Sequence, residues 1–212
     1  MLLSAIAGLG LGFSLIIAIG AQNLFVLRQG MRREHIVLVV AICAISDAAL
    51  IALGVSGIGL ALQALPWLTE IVRWAGAAFL VTYGCLAARR AWRPSGEALT
   101  PSSTAATAQS ATVATAQSTA VAVAATALAL TWLNPHVYLD TVFLLGSIAT
   151  THASPWSFAA GAIVASVLWF SGLAFGARYL GRLLSTARAW RILDAMIAIV
   201  MIGLGVSLVV FR

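Results

Sequence analysis

LTWLNPHVYLDTVFLLG, residues Leu130 to Gly146, lies inside an apolar run that extends from about Ala120 to about Thr150. A bilayer crossing takes roughly 20 mostly apolar residues, so this run is longer than one span needs. Asn134-Pro135 interrupts it. Proline removes a backbone donor and its ring clashes with the preceding turn, which predicts a broken or kinked membrane helix at this point. Asp140 follows within the same run, beside Tyr138 and Thr141. A carboxyl there costs about 2.5 kcal/mol or more near mid-span.

Five more apolar runs flank this one, at about Leu2–Leu27, Ile36–Leu62, Trp67–Ala91, Pro155–Phe175 and Ile192–Phe211. The whole chain has 212 residues, 62% hydrophobic and 8% charged, with a mean hydropathy of +1.03. Soluble domains carry about 25% charged residues. The fold class expected is therefore an all-α polytopic membrane protein of about six transmembrane helices, forming one transmembrane domain over 1–212. Between Ser95 and Ser118 the composition changes to Pro, Ser, Thr, Ala and Gln, with Thr107-Ala-Gln-Ser110 repeated as Thr115-Ala-Gln-Ser118. This reads as a low-complexity linker over 94–119, joining a three-helix half at 1–93 to another at 120–212. Two halves with three spans each have opposite orientations, so the expected arrangement is a pair of inverted repeats.

All twelve basic residues are Arg, and the pI is near 10.7. The arginines cluster after the first, third and fifth runs: Arg28, Arg32 and Arg33; Arg89, Arg90 and Arg93; Arg178, Arg182, Arg188 and Arg191. Only Arg73 and Arg212 lie on the other side. Such clusters are topology signals, which place these loops in the cytoplasm and both termini outside. They form no basic stripe with interleaved aromatics, so a nucleic-acid partner is not expected. Cys43 and Cys85 lack disulfide or zinc spacing, and no cofactor is implied. The N-terminal run has no basic residues before it and no evident cleavage site, which reads as a retained span.

The polar residues inside the runs carry the functional information. Asp47 lies near the middle of the second run and Asp140 deep in the fourth, with no Lys or Arg deep in any run. A hydroxyl such as Ser46 or Thr141 would suffice if the acids only joined helices. An acid left unpaired awaits a mobile cation: a proton, a metal ion or a cationic substrate. Gly20-Ala-Gln22-Asn23 in the first run and Asn134-Pro135-His136 in the fourth are helix breaks at similar places in the two halves. Discontinuous helices expose backbone groups that coordinate substrates, although Gln22 and Asn23 also fit a simple helix cap. His136 has the chemistry of a proton shuttle or metal ligand. Asp194, near the start of the sixth run, suits the positive end of a helix. Gly8, Gly10, Gly12, Gly54, Gly57, Gly59, Gly172 and Gly176 read as close-packing surfaces.

Three stretches, GAQNLFVLRQG at Gly20–Gly30, CAISDAALIALG at Cys43–Gly54 and LTWLNPHVYLDTVFLLG at Leu130–Gly146, resemble the LysE family of amino-acid exporters. Trp190 to Asp194 is similar too, so the likeness covers nearly all but the linker. The resemblance implies export of lysine, arginine or analogues such as canavanine across the bacterial cytoplasmic membrane, driven by the proton-motive force. Protons are then a coupling ion and a homodimer stays open. It also implies that Asp47 and Asp140 face the substrate or proton path. Relatives exporting neutral amino acids carry Pro-Gly-Pro and Asn-Pro-Lys where this chain has Gly20-Ala21-Gln22 and Asn134-Pro135-His136, so the basic branch is favoured. The substrate contacts expected are Asp47, Asp140, Asn23, Gln22, Asn134 and Tyr138, with Gly20, Pro135 and His136 forming the breaks. A divalent-metal exporter is the alternative from another class, and a membrane enzyme finds no nucleophile–base motif.

Overall fold

The computed structural model describes residues 1–17, 20–57, 66–92, 119–183 and 187–210. The linker expectation falls largely outside them. The described residues form helices and no strands: α1 (Leu2–Ile16), α2 (Ala21–Arg32), α3 (Ile36–Val55), α4 (Pro66–Trp92), α5 (Ala120–Trp132), α6 (Pro135–Thr150), α7 (Pro155–Leu183) and α8 (Ala187–Val210). Four of these, α3, α4, α7 and α8, are long and apolar enough to cross a membrane unbroken. The pairs α1–α2 and α5–α6 bend by 84° and 56°, and each pair read as one broken span brings the number to six. α3 has 20 residues, which at 1.5 Å per residue matches the hydrocarbon thickness of about 30 Å.

Local chemistry explains both breaks. Gly20 is extended (φ −121°, ψ 174°) where α2 begins. Asn134 is extended as well, and its side chain accepts from the His136 amide at 3.2 Å, capping α6 with Pro135 in its first turn. That first turn is α-helical, but Tyr138 to Leu145 then winds as a π-helix. π segments are uncommon and concentrate at functional sites. At the other end of α2 the left-handed Arg33 (φ 58°) closes the helix, with the Glu34 amide returning to the Gln29 carbonyl, a Schellman-type ending.

Each broken span packs on the second span of the opposite half: α1 and α2 lie along α7, while α5 and α6 lie along α3. α3 and α7 also cross one another, and α4 pairs with α8. Glycines permit the closest approaches. A Cβ at Gly8 would strike the Phe158 carbonyl, one at Gly161 the Ala5 carbonyl, and one at Gly54 the backbone of Val142. Gly8, Gly12 and Gly54 therefore serve the packing role expected of them. Gly10, Gly172 and Gly176 do not, because a Cβ at any of them meets open space. Gly57 occupies a turn at φ +83°, and Gly59 lies outside the described residues. The exposed side chains are mostly apolar, Ile45, Ile71, Val164, Leu168 and Ile199 among them, as suits a surface against acyl chains.

Some boundaries differ from the sequence reading. α2 carries its helix through Arg28 to Arg32, so Arg28 belongs to a helix and is buried. α7 continues beyond Phe175 to Leu183, and α8 starts at Ala187. Asp194 consequently sits two turns inside α8, away from its positive end.

Candidate functional site

α3 and α7 cross with a buried acid meeting a buried hydroxyl. Asp47 on α3 is 7% exposed and Ser166 on α7 is fully buried. The Ser166 hydroxyl donates to Asp47 Oδ2 at 2.6 Å, in the short range of hydrogen bonds to charged acceptors. The preceding residue on α3, Ser46, accepts from the indole Nε1 of Trp132 at 3.2 Å. One turn further along α7, Trp169 Nε1 donates to Asn23 Oδ1 at 3.2 Å.

Both breaks are stitched by the same logic. A break strands the carbonyls of the last helical turn, and these need donors inside lipid. Asn23 Nδ2 donates back to the Ile16 carbonyl at 2.8 Å, spanning the break between α1 and α2. The Tyr138 hydroxyl donates back to the Trp132 carbonyl at 2.8 Å, spanning the break between α5 and α6. A tryptophan then ties each break to a second span. Trp169 links the first break to α7, and Trp132 links the second to α3.

Gln22 reaches toward the Cys43 thiol, one turn from Asp47 on α3. Its Nε2 is buried without a hydrogen-bond partner. Buried amide donors are rarely left so, and this one faces Cys43, one turn along α3 from Asp47. The pairs Asp47–Ser166, Ser46–Trp132 and Asn23–Trp169 thus lie on adjacent positions and turns, a polar cluster with Gln22 where α2, α3, α5 and α7 meet.

The remaining sequence candidates behave differently. Tyr138 joins the cluster through Trp132, whereas Asn134 is occupied in capping α6. His136 and Asp140 are exposed, one turn apart on α6. The expectation of two enclosed acids holds for Asp47, which has no cationic partner among the described residues, and is corrected for Asp140, which is exposed. Asp47 has its hydroxyl partner on another span, and Asp140 lies on the outside of the π-helical stretch Tyr138–Leu145. Ser166, Trp132 and Trp169 were not singled out from sequence. A serine in an apolar run is commonplace, and only its spacing of one turn from a tryptophan hinted at a polar face.

A second charged group occupies the arginine-rich end. Asp194 Oδ1 meets Arg28 at 3.3 Å and Arg90 at 3.4 Å, joining α8 to α2 and α4. Arg90 also lies 5.7 Å from the centre of the Tyr83 ring, and Arg191 Nε donates to the Ala91 carbonyl at 3.0 Å. Asp194 was expected to serve a helix end. It instead neutralises buried guanidinium charge.

Among the described residues no three or more His, Cys, Asp or Glu side chains converge as metal ligands.

Comparison with known proteins agrees with this architecture. The profile described as LysE type translocator matches residues 13–211. A Mycobacterium bovis protein carried under the provisional name of an amino-acid transporter is 48% identical over 195 residues, covering 92% of this chain and 90% of its own. The arginine exporter ArgO of Salmonella schwarzengrund is 41% identical, covering 92% and 87%. The lysine exporter LysE of Corynebacterium efficiens is 37% identical, covering 96% and 97%. No solved structure matches the chain. The chain belongs to the LysE type translocator family, multi-pass proteins of the cytoplasmic membrane.

Proposed function

We propose that this protein exports basic L-amino acids, arginine or lysine and analogues such as canavanine, out of the cytoplasm at the expense of the proton-motive force. The observation that carries the reading is the buried Asp47, set among orphaned and break-stitching polar groups at the α3–α7 crossing. Likeness to exporters named for lysine and for arginine supports the substrate class.

In this reading the substrate cation displaces the Ser166 hydroxyl from Asp47. Gln22, Asn23 and the carbonyls at the breaks receive the α-amino and carboxylate groups, with Tyr138 and Asn134 controlling the second break. Export of a cation works against an interior-negative potential of about 2.3 kcal/mol per charge per 100 mV. Inward proton movement offsets that cost, and the exposed Asp140, with His136 one turn away, is a suitable proton acceptor. The two halves act as inverted repeats that rock about the α3–α7 crossing. Cross-packing of each broken span on the opposite half favours such an arrangement.

Efflux of radiolabelled arginine and lysine from preloaded proteoliposomes tests this, with and without a proton gradient, using alanine and a divalent metal as controls. Gradient-dependent loss of the basic amino acids is expected. Loss of alanine instead would assign the neutral branch, and movement of the metal alone would assign the metal-export alternative.

A further inference from the structure

α4 and α8 form a unit of their own. Gly84 on α4 lies against Ala198 and Ile202, and Gly205 on α8 lies against Ala77 and Val81, so the two backbones touch closely along their length. The pair reaches the rest of the bundle at α2, α5 and the start of α6. Gly76 of α4 touches the Leu133 carbonyl at the α5–α6 break, which makes that point a pivot, while the shared core beyond it draws on larger side chains, Phe25, Leu80, Leu130, Ile197 and Met201 among them. Small residues bind helices tightly in lipid, while seams of long side chains can slide or repack.

One strong polar link crosses the seam. Arg28 and Asp194 have side chains only 9% and 10% exposed, and they meet at 3.3 Å between α2 and α8. The surrounding network is incompletely satisfied. Arg28 Nε, Arg90 Nη2 and Gln29 Oε1 are all buried without hydrogen-bond partners. Two guanidiniums share one carboxylate, so a positive charge also stays unbalanced. A fully satisfied buried network rigidifies a core, whereas a partly satisfied one gains on hydration. Water entering this end would supply the missing partners, which lowers the cost of parting the pair.

We infer that the Arg28–Asp194 pair is a releasable latch that closes the arginine-rich end by holding the α4–α8 unit against α2, and that it parts in every transport cycle. The inference rests on the alternating-access reading above, but concerns residues outside the proposed substrate cluster. Arg28 and Asp194 act here as gating residues and need not touch substrate.

The test uses the full-length protein in proteoliposomes with Arg28→Cys, Asp194→Cys and Cys85→Ser, joined after insertion by a reducible bis-methanethiosulfonate linker of arginine length. Arginine or lysine efflux is expected to fall at least about ten-fold on cross-linking and to return on reduction. Full efflux from the cross-linked protein would overturn the latch. Where the double-cysteine protein is inactive before cross-linking, Gln29→Cys decides, labelled with a water-soluble maleimide. Its labelling rate is expected to rise about five-fold when Asp194→Asn is added or when substrate and gradient are supplied together. An unchanged rate under both conditions would refute the proposal. A chain that moves no amino acid yet labels faster with Asp194→Asn would sink the transport reading and leave the closure intact.

Discussion

Ser166 donates to Asp47 across the α3–α7 crossing at 2.6 Å, and each residue lies eleven positions beyond the first of its helix, Pro155 and Ile36. The midpoint of one second span thus rests on the midpoint of the other. Asp47→Asn keeps the size and the polar contact but removes the charge. Transport of basic amino acids is expected to fall by about 100-fold or more, while the amount in the membrane stays near that of the parent. Ser166→Ala is expected to cost about 1.5–3 kcal/mol of stability, the range for hydrogen bonds to charged groups. Efflux and detergent unfolding, measured on both variants, check the pair.

Asp140 gives the complementary case. Exposed, it has little packing to lose, so Asp140→Asn is expected to change stability by no more than about 0.5 kcal/mol. Efflux coupled to the proton gradient is nevertheless expected to disappear. Retained coupling in this variant would remove Asp140 from the proton path.

The stitches across the breaks differ in worth. Tyr138→Phe loses one hydrogen bond to the Trp132 carbonyl and is expected to cost about 1 kcal/mol. Asn23→Ala loses bonds to both Ile16 and Trp169, and leaves a part-buried carbonyl and an indole N–H without their partners. It should be the more damaging, by about 1–3 kcal/mol for the unsatisfied group. Thermal unfolding of the two variants in one detergent ranks them.

Glycines separate cleanly into two classes. Gly8→Ala and Gly161→Ala would drive a methyl into a facing backbone carbonyl, so α1 and α7 must separate, at a cost of about 1–3 kcal/mol. Gly172→Ala and Gly176→Ala place the methyl in open space, and are expected to be neutral or slightly stabilising, since Gly costs a helix about 1 kcal/mol relative to Ala. A common loss at all four positions would mean that Gly172 and Gly176 pack against something in the membrane.

Much of this architecture was readable from residue chemistry. Hydropathy marked the spans, and Asn134-Pro135 marked a break where the backbone does break. Gly20 marked the other, since an extended residue there releases the helix. What escaped the reading depends on distance in sequence. Ser166 meets Asp47 from a helix in the other half, and Arg28 was assigned to a loop because charge clusters usually end a span. Its burial requires Asp194 from α8, a partner that no local pattern announces. Asp140 faces outward from a π-helical stretch, and depth along an apolar run does not say which way a side chain points. Small residues posed a similar difficulty: the spacing of Gly172 and Gly176 is that of a packing motif, whether or not a helix lies opposite.

The packing of α1 against α7 has a consequence for biosynthesis. Gly8 waits for Phe158, which leaves the ribosome 150 residues later. Nearly three-quarters of the chain must therefore enter the bilayer before the first helix finds its permanent neighbour. Until then its close-packing glycines face lipid or an insertion partner, and neither half can complete its own core. Such long-range pairing slows assembly and exposes intermediates to quality control, so the two halves of this exporter are obliged to mature together.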